Sequence, residues 1–162
     1  MFYFMNEFIT TSSAQTKKIG AMLAEELCGG EIICLSGDLG AGKTTFTQGL
    51  LKGLKIKGPY TSPTFSIIKH YRKEFPISKS QFPKKSKNSK SQTRNIYHID
   101  AYRINSKDLL ELGFKDFAGK PNSITIIEWP EKVKKIIPTT ALWIHFECLS
   151  DKERKIVLSI KK

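Results

Sequence analysis

Apolar positions recur along this chain with more than one period, and the changes of period mark its elements. Phe2 to Ile9 is mostly apolar and predicts a first strand. Ile19, Met22, Leu23 and Leu27 then recur at helical spacing; Ser12 or Ser13 caps that helix and Gly29-Gly30 ends it. Glu31-Ile32-Ile33-Cys34-Leu35-Ser36 is instead a short apolar run bounded by glycine, the pattern of a parallel strand buried on both faces. A Gly-rich turn leads into a second helix over Lys43 to Leu54, with Phe46, Leu50, Leu51 and Leu54 on its core face. Thr64 to Tyr71 and Asn95 to Asp100 predict two further strands. Ser106 caps a short helix through Leu112, and Ser123 to Glu128 is another buried strand. Ala141 to Cys148 and Arg154 to Ile160 read as a closing antiparallel hairpin. No internal repeat is visible. Alternating strands and helices predict an α/β three-layer sandwich with a largely parallel central sheet.

Composition changes this picture in one place. With 162 residues, 40% of them apolar and ten Phe among them, the chain has the material for one core and is expected to form a single domain over 1–162. Wholesale disorder is excluded. The net charge of +12 points to an anionic partner, a nucleic acid or nucleotide before a membrane. That charge is uneven. Between Lys69 and Arg94 nine lysines and arginines face the single acid Glu74, so +8 falls within 26 residues. The centre of this stretch, Pro76 to Thr93, offers only Ile77 and Phe82 as apolar groups and cannot offset its ordering entropy. A basic, mobile insertion at about 72–94 is therefore expected.

Cys28, Cys34 and Cys148 are odd in number and fall in no CxxC or Cys/His cluster, which excludes zinc ribbons and disulfide scaffolds; they read as reduced, buried thiols. His70, His98 and His145 lack ligand spacing and read as packing residues. No apolar run approaches the roughly 20 residues needed to span a bilayer, so no membrane is expected and the expected compartment is the cytoplasm.

The segment with chemistry is Gly37-Asp38-Leu39-Gly40-Ala41-Gly42-Lys43-Thr44, a match to G-x-x-x-x-G-K-[ST]. Chance would produce it in a chain of this length on the order of one per cent of the time or less, and a buried strand before it with an apolar helix after it sharpens the match. Glycines let successive backbone N–H groups turn inward around phosphate oxygens, and the helix N-terminus adds partial positive charge. Lys43 reaches the β- and γ-phosphates, and the Thr44 hydroxyl is a ligand for Mg²⁺. Such a loop needs an acid at the end of an apolar strand. Asp100 and Glu128 both stand at that position, facing the crevice where open sheets bind ligands.

Here the chain resembles a known family, the TsaE (YjeE) P-loop ATPases of tRNA threonylcarbamoyladenosine biosynthesis. The resemblance is carried by Gly37 to Phe46, Thr61-Ser62-Pro63-Thr64-Phe65, His98-Ile99-Asp100-Ala101-Tyr102-Arg103, Glu111-Leu112-Gly113 and Ile127-Glu128-Trp129-Pro130, in family order over nearly the whole chain. It implies a P-loop NTPase-like fold, ATP and Mg²⁺ as cofactors, and ATP hydrolysis that supports N6-threonylcarbamoylation of the adenosine beside the anticodon. It further implies a TsaB–TsaD-type transferase complex as partner, with tRNA reached indirectly or through the basic insertion. Carried over residue by residue, the catalytic candidates are Lys43, Asp100 and Glu128. Thr44 and Glu128 hold the metal, and Asp100 positions water or the metal. Nucleotide contacts fall to Gly37, Asp38, Leu39, Gly40, Ala41, Gly42, Lys43, Thr44 and Thr45. Thr64 joins them on a switch-like loop near the γ-phosphate, as do Thr16 near the adenine and Lys152 (or Arg154) on the last hairpin. The basic insertion departs from the family, whose members join those two strands by a short turn.

Two other functions compete. A small-molecule or nucleotide kinase would carry an acceptor pocket and an arginine-bearing lid, whereas the basic segment has only Arg72 and Arg94 at its margins. A non-enzymatic nucleic-acid module built on that segment lacks interleaved aromatics for base stacking. With no arginine finger beyond Arg103, slow intrinsic turnover is expected.

Overall fold

The structure, a computed structural model, describes residues 3–75 and 92–161. Its strands are β1 (Tyr3–Thr10), β2 (Ile32–Gly37), β3 (Ile68–Phe75), β4 (Gln92–Asp100), β5 (Ser123–Glu128), β6 (Leu142–Cys148) and β7 (Arg154–Lys161). Its helices are α1 (Ser13–Glu26), α2 (Lys43–Gly53), α3 (Ser106–Glu111) and α4 (Phe114–Phe117), with a 3-10 segment over Pro130–Ile136. One seven-stranded sheet runs β1-β7-β6-β2-β5-β4-β3. Its centre, β6-β2-β5-β4, is parallel, and antiparallel pairs close both edges. The expected closing hairpin is β6–β7, and β7 also takes β1 as its other neighbour.

The fully buried strand segments lie where both faces of the sheet are covered. Ile32–Leu35 of β2 and all of β5 are buried. Alternate side chains serve opposite layers: Ile33, Leu35, Ile124 and Ile126 pack with Phe46, Leu50 and Leu51 of α2 and Ala24 of α1. Ile32, Cys34, Ile99 and Ile127 pack on the other face with Leu109, Phe114 and Val133. That is the three-layer arrangement. Helices α1 and α2 meet backbone to backbone: a Cβ on Gly49 would stand 2.0 Å from the carbonyl oxygen of Lys17, and one on Gly20 2.3 Å from that of Phe46. This contact packs the second and third turns of α1 against the body of α2.

Several local expectations are corrected. Asn105, not Ser106, caps α3: its side chain accepts from the N–H groups of Lys107 (2.8 Å) and Asp108 (3.2 Å), while the Asp108 carboxylate accepts from the Asn105 N–H (2.9 Å). This closed capping box outcompetes a serine one position later. Helix α1 already ends at Glu26, before Gly29-Gly30. No strand begins at Thr64, because Ser66 and Ile67 donate back to the Pro63 carbonyl in a turn and β3 starts at Ile68. Strands β3 and β4 reach into the basic segment, pairing Arg72 with Asn95 and Phe75 with Gln92; the remainder of the expected mobile insertion lies outside the described residues. Only Cys34 of the three free thiols is buried, with its pKa pushed up to about 12 by burial and by the Glu131 carboxylate; Cys28 and Cys148 are exposed. Among the described residues no helix is long and apolar enough to cross a membrane.

Candidate active site

The parallel centre of the sheet assembles the site. Strand β2 runs straight into the loop 37–42, and β5 pairs with it so that Leu35 and Glu128 are register partners. On the far side of β5, Asp100 of β4 is the register partner of Glu128. Two acids 28 positions apart in sequence thus stand side by side at the C-terminal edge, next to the P-loop. Both are nearly buried, at 7% and 3% exposure, which demands hydrogen-bond partners for their oxygens.

Those partners are present. The Thr44 hydroxyl donates to Oε2 of Glu128 at 3.0 Å. Oδ2 of Asp100 accepts from the hydroxyls of Thr64 at 2.9 Å and Ser62 at 3.4 Å, and Oδ1 accepts from the Tyr102 N–H at 3.0 Å. Glu128 is thus bonded to the P-loop helix and Asp100 to the 61–65 loop. Phe65 at the loop's tip is almost wholly exposed, with the Arg103 guanidinium 5.8 Å from its ring centre.

Lys43, the first residue of α2, is folded back onto its own loop. Its Nζ donates to the carbonyl oxygens of Gly37 (2.5 Å) and Asp38 (2.7 Å) and stands 3.9 Å from the centre of the Trp129 ring. Burial lowers its pKa from the ordinary lysine value, opposed by the carboxylates of Glu128, Glu131, Asp38 and Asp100. Trp129 is held by Tyr102, ring centres 5.0 Å apart, and sits at φ 60°, ψ 47°. A left-handed conformation in a tryptophan costs of order 1–3 kcal/mol and persists only where surroundings impose it.

A phosphate group fits this loop. Gly40 has φ +78°, and a Cβ built there meets nothing within 4 Å, so the space in front of its backbone is open. The α2 N-terminus has no side-chain cap, only Gly42 at φ 109°, which leaves its N–H groups for an anion. Two cavities flank the loop. One, about 240 Å³, is lined by Lys43, Thr44, Thr64, Asp100, Glu128 and Trp129. The other, about 300 Å³, brings Thr16 together with Thr45, Lys152 and Arg154, sharing Gly40 and Gly42 with the first. The Thr16 hydroxyl is already bonded to Thr10 (2.8 Å) and the Ser12 carbonyl (3.3 Å), so this residue offers the cavity its apolar side. Arg154 donates to the carbonyls of Ser150 and Glu153, which leaves Lys152 the freer cation of the two. No group of three or more His, Cys, Asp or Glu poised for a metal exists among the described residues. A hydroxyl beside one carboxylate nonetheless suits Mg²⁺, which keeps most of its waters. Asp38, Leu39 and Ala41 complete the loop: Leu39 is 88% exposed at its tip, Ala41 is buried beneath it, and the backbone carbonyl of Asp38 accepts from both the Lys43 ammonium and the Ala41 N–H.

Sequence reasoning missed His98. Read as a packing residue, it is buried with Nε2 2.8 Å from Oε1 of Glu128. Its place two residues before Asp100, hence on the same face of the strand, was the available signal.

The fold and the sequence are shared with known proteins. A family model described as "Threonylcarbamoyl adenosine biosynthesis protein TsaE" matches residues 10–156. A Synechocystis protein named tRNA threonylcarbamoyladenosine biosynthesis protein TsaE is 37% identical over 133 residues, 80% of this chain and 73% of that protein. The Aquifex aeolicus protein of the same name is 34% identical over 154 residues, 94% of each. The crystal structure of Bacillus subtilis YdiB superposes with a TM-score of 0.72 at 27% identity, covering 99% of this chain and 88% of that one. With a family match over residues 10–156, which include the P-loop and both acids, the chain belongs to the TsaE family.

Proposed function

We propose that this protein is the Mg²⁺-dependent, ATP-binding and ATP-hydrolysing component of tRNA threonylcarbamoyladenosine biosynthesis, acting with a TsaB–TsaD-type transferase complex in the cytoplasm. The observation that carries the ATPase reading is the Thr44–Glu128 hydrogen bond at the first turn of a P-loop helix, with Asp100 in register beside it. The pathway and the partner rest on the kinship with proteins named for that biosynthesis. On this reading the free N–H groups of the loop and of α2 receive the phosphates. Lys43 exchanges its two carbonyl acceptors for phosphate oxygens, so the ion that now lies over Trp129 already faces the cleft. Thr44 and Glu128 are the residues that would hold Mg²⁺, which would neutralise phosphate charge when bound. Asp100, bonded to Thr64, orients the attacking water and ties its position to the 61–65 loop. The tRNA is reached through the partner complex or through the basic segment.

The test is steady-state hydrolysis of ATP by the full chain with Mg²⁺, alone and with a purified TsaB–TsaD pair. Slow turnover that the pair stimulates, with ADP as the nucleotide product and the whole of the γ-phosphate released as inorganic phosphate, supports the reading. Transfer of the γ-phosphate to an added hydroxyl metabolite would replace it with a kinase.

A further inference from the structure

His98 takes no part in the chemistry above, yet among the described histidines it is the buried one, with 1% exposure, whereas His70 and His145 are exposed. Its ring makes one hydrogen bond. Because a carboxylate only accepts, Nε2 carries the hydrogen and donates to Oε1 of Glu128 at 2.8 Å, while Nδ1 has no partner among the described residues. The other oxygen of the same carboxylate, Oε2, accepts from Thr44 at 3.0 Å. The two oxygens of Glu128 thus have separate duties: one is anchored in the sheet by β4, and the other is presented to the P-loop helix. A carboxylate on a single flexible torsion is otherwise free to swing either oxygen, or both, toward a cation. A partner behind a ligand fixes its orientation and the direction of its lone pairs.

We propose that His98 is a positioning residue for the metal-binding carboxylate: its Nε2–H locks Oε1 of Glu128 so that Oε2 alone is offered beside the Thr44 hydroxyl. This rests on Thr44 and Glu128 being the Mg²⁺ ligands. A residue that merely filled space here would be replaced equally well by any side chain of similar volume. A positioning residue needs a hydrogen-bond donor at the place of Nε2, and the glutamine amide nitrogen reaches about as far along the side chain.

The experiment measures binding of a fluorescent N-methylanthraniloyl-ATP as Mg²⁺ is titrated, for wild type, Thr44→Ala, His98→Leu and His98→Gln, with the metal-free affinity and melting temperature of each. His98→Leu is expected to raise the Mg²⁺ midpoint about 10–100-fold with metal-free nucleotide affinity unchanged, and His98→Gln to recover most of that loss. Should the leucine variant fail to fold, His98→Asn, whose amide is one carbon too short, takes its place against glutamine. Equal midpoints for the donor and non-donor variants would overturn the proposal and leave His98 a packing residue. If Thr44→Ala shifts the midpoint and His98→Leu does not, His98 alone was misassigned. A wild type whose nucleotide binding is indifferent to Mg²⁺ overturns this inference and the metal-site reading together.

Discussion

Lys43 and Trp129 share one contact: the lysine ammonium lies 3.9 Å from the centre of the indole ring, with its hydrogens on the Gly37 and Asp38 carbonyls. The ammonium is thereby held next to the loop it serves, on acceptors that phosphate oxygens can displace. Lys43→Ala should leave the domain folded, since Lys43 joins neither apolar cluster. Loss of a charge-assisted contact to the transferring phosphate costs about 2–4 kcal/mol in the transition state, roughly 10²–10³ in rate. Hydrolysis within threefold of wild type, measured on protein with a native circular dichroism spectrum, would remove Lys43 from the mechanism.

The same residue gives a signed dependence on pH. Burial lowers the folded-state pKa of Lys43 below its ordinary 10.5. Between the lowered value and 10.5 the unfolded chain holds a proton that the folded chain has released, so stability rises with pH across that window. Below it the penalty is fully present. In urea unfolding from pH 7 to 10.5, the stability of wild type minus that of Lys43→Met should therefore climb with pH. A flat or falling difference would mean that the neighbouring carboxylates outweigh burial.

Glu128 and Asp100 are separated by their partners rather than by their type. Glu128 shares a hydrogen bond with Thr44, whereas Asp100 is bonded to Thr64, Ser62 and the Tyr102 amide. Glu128→Gln and Thr44→Ala should each weaken Mg²⁺-dependent nucleotide binding. Asp100→Asn should lower kcat while leaving that binding nearly intact. If Asp100→Asn instead loses the Mg²⁺ dependence and Glu128→Gln keeps it, the two acids exchange roles.

The sequence was readable wherever a local pattern decides the outcome. The run at 32–35 is apolar without interruption, and Ile124, Ile126 and Ile127 dominate 123–128, because both faces of these strands are covered; the glycines of 37–42 are fixed by the backbone they must adopt. What stayed hidden depends on neighbours across strands. His98 looks like filler until β4 and β5 pair in parallel and place it against Glu128. Trp129 gave no sign of its left-handed backbone, because the Tyr102 ring and the Leu35 carbonyl that receives its N–H lie elsewhere in the sequence. On residue type alone Ser106 reads as the cap of α3, and Asn105, one position earlier, takes that place because it finds an acid three positions on. The α1–α2 seam belongs with the hidden part, since a glycine on a helix shows no reason for being small until its partner helix is in place.

That seam has a direct consequence for stability. A methyl group on Gly49 would overlap the Lys17 carbonyl oxygen at 2.0 Å and its Cα at 2.6 Å, both of them backbone atoms that no rotamer change can move aside. Gly49→Ala raises helix propensity, worth about 0.5–1 kcal/mol, yet the helices must part to admit it, at about 1–3 kcal/mol or more. The clash wins, and a lower melting temperature is expected. Because α2 begins at the P-loop and α1 lines the cavity beside it, nucleotide affinity should fall as well. An alanine variant as stable as wild type would mean the seam is looser than described.

Strands β3 and β4 pair as far as Phe75 with Gln92, which defines where the basic segment can be cut. Residues 76–91 carry five lysines, Lys79, Lys84, Lys85, Lys87 and Lys90, and no acid. Replacing them with Asn-Gly, a two-residue turn whose twist suits an antiparallel pair, removes +5 of the net +12. It deletes only Ile77 and Phe82 as apolar groups and shortens the connection between β3 and β4, which slightly lowers the entropy cost of closing it. Folding and basal ATP hydrolysis should therefore stay close to wild type, since the P-loop, Asp100 and Glu128 lie at the opposite end of β4 from the cut. The charge is expected to act elsewhere. Screening confines it to about 8 Å at physiological salt, so it matters only to an anion in contact with it. Each phosphate neutralised releases counterions and steepens the fall of affinity with salt. The shortened chain should bind tRNA, alone or with the TsaB–TsaD pair, more weakly and with a shallower dependence on salt. Equal affinity and an equal salt slope would show that these lysines face only solvent.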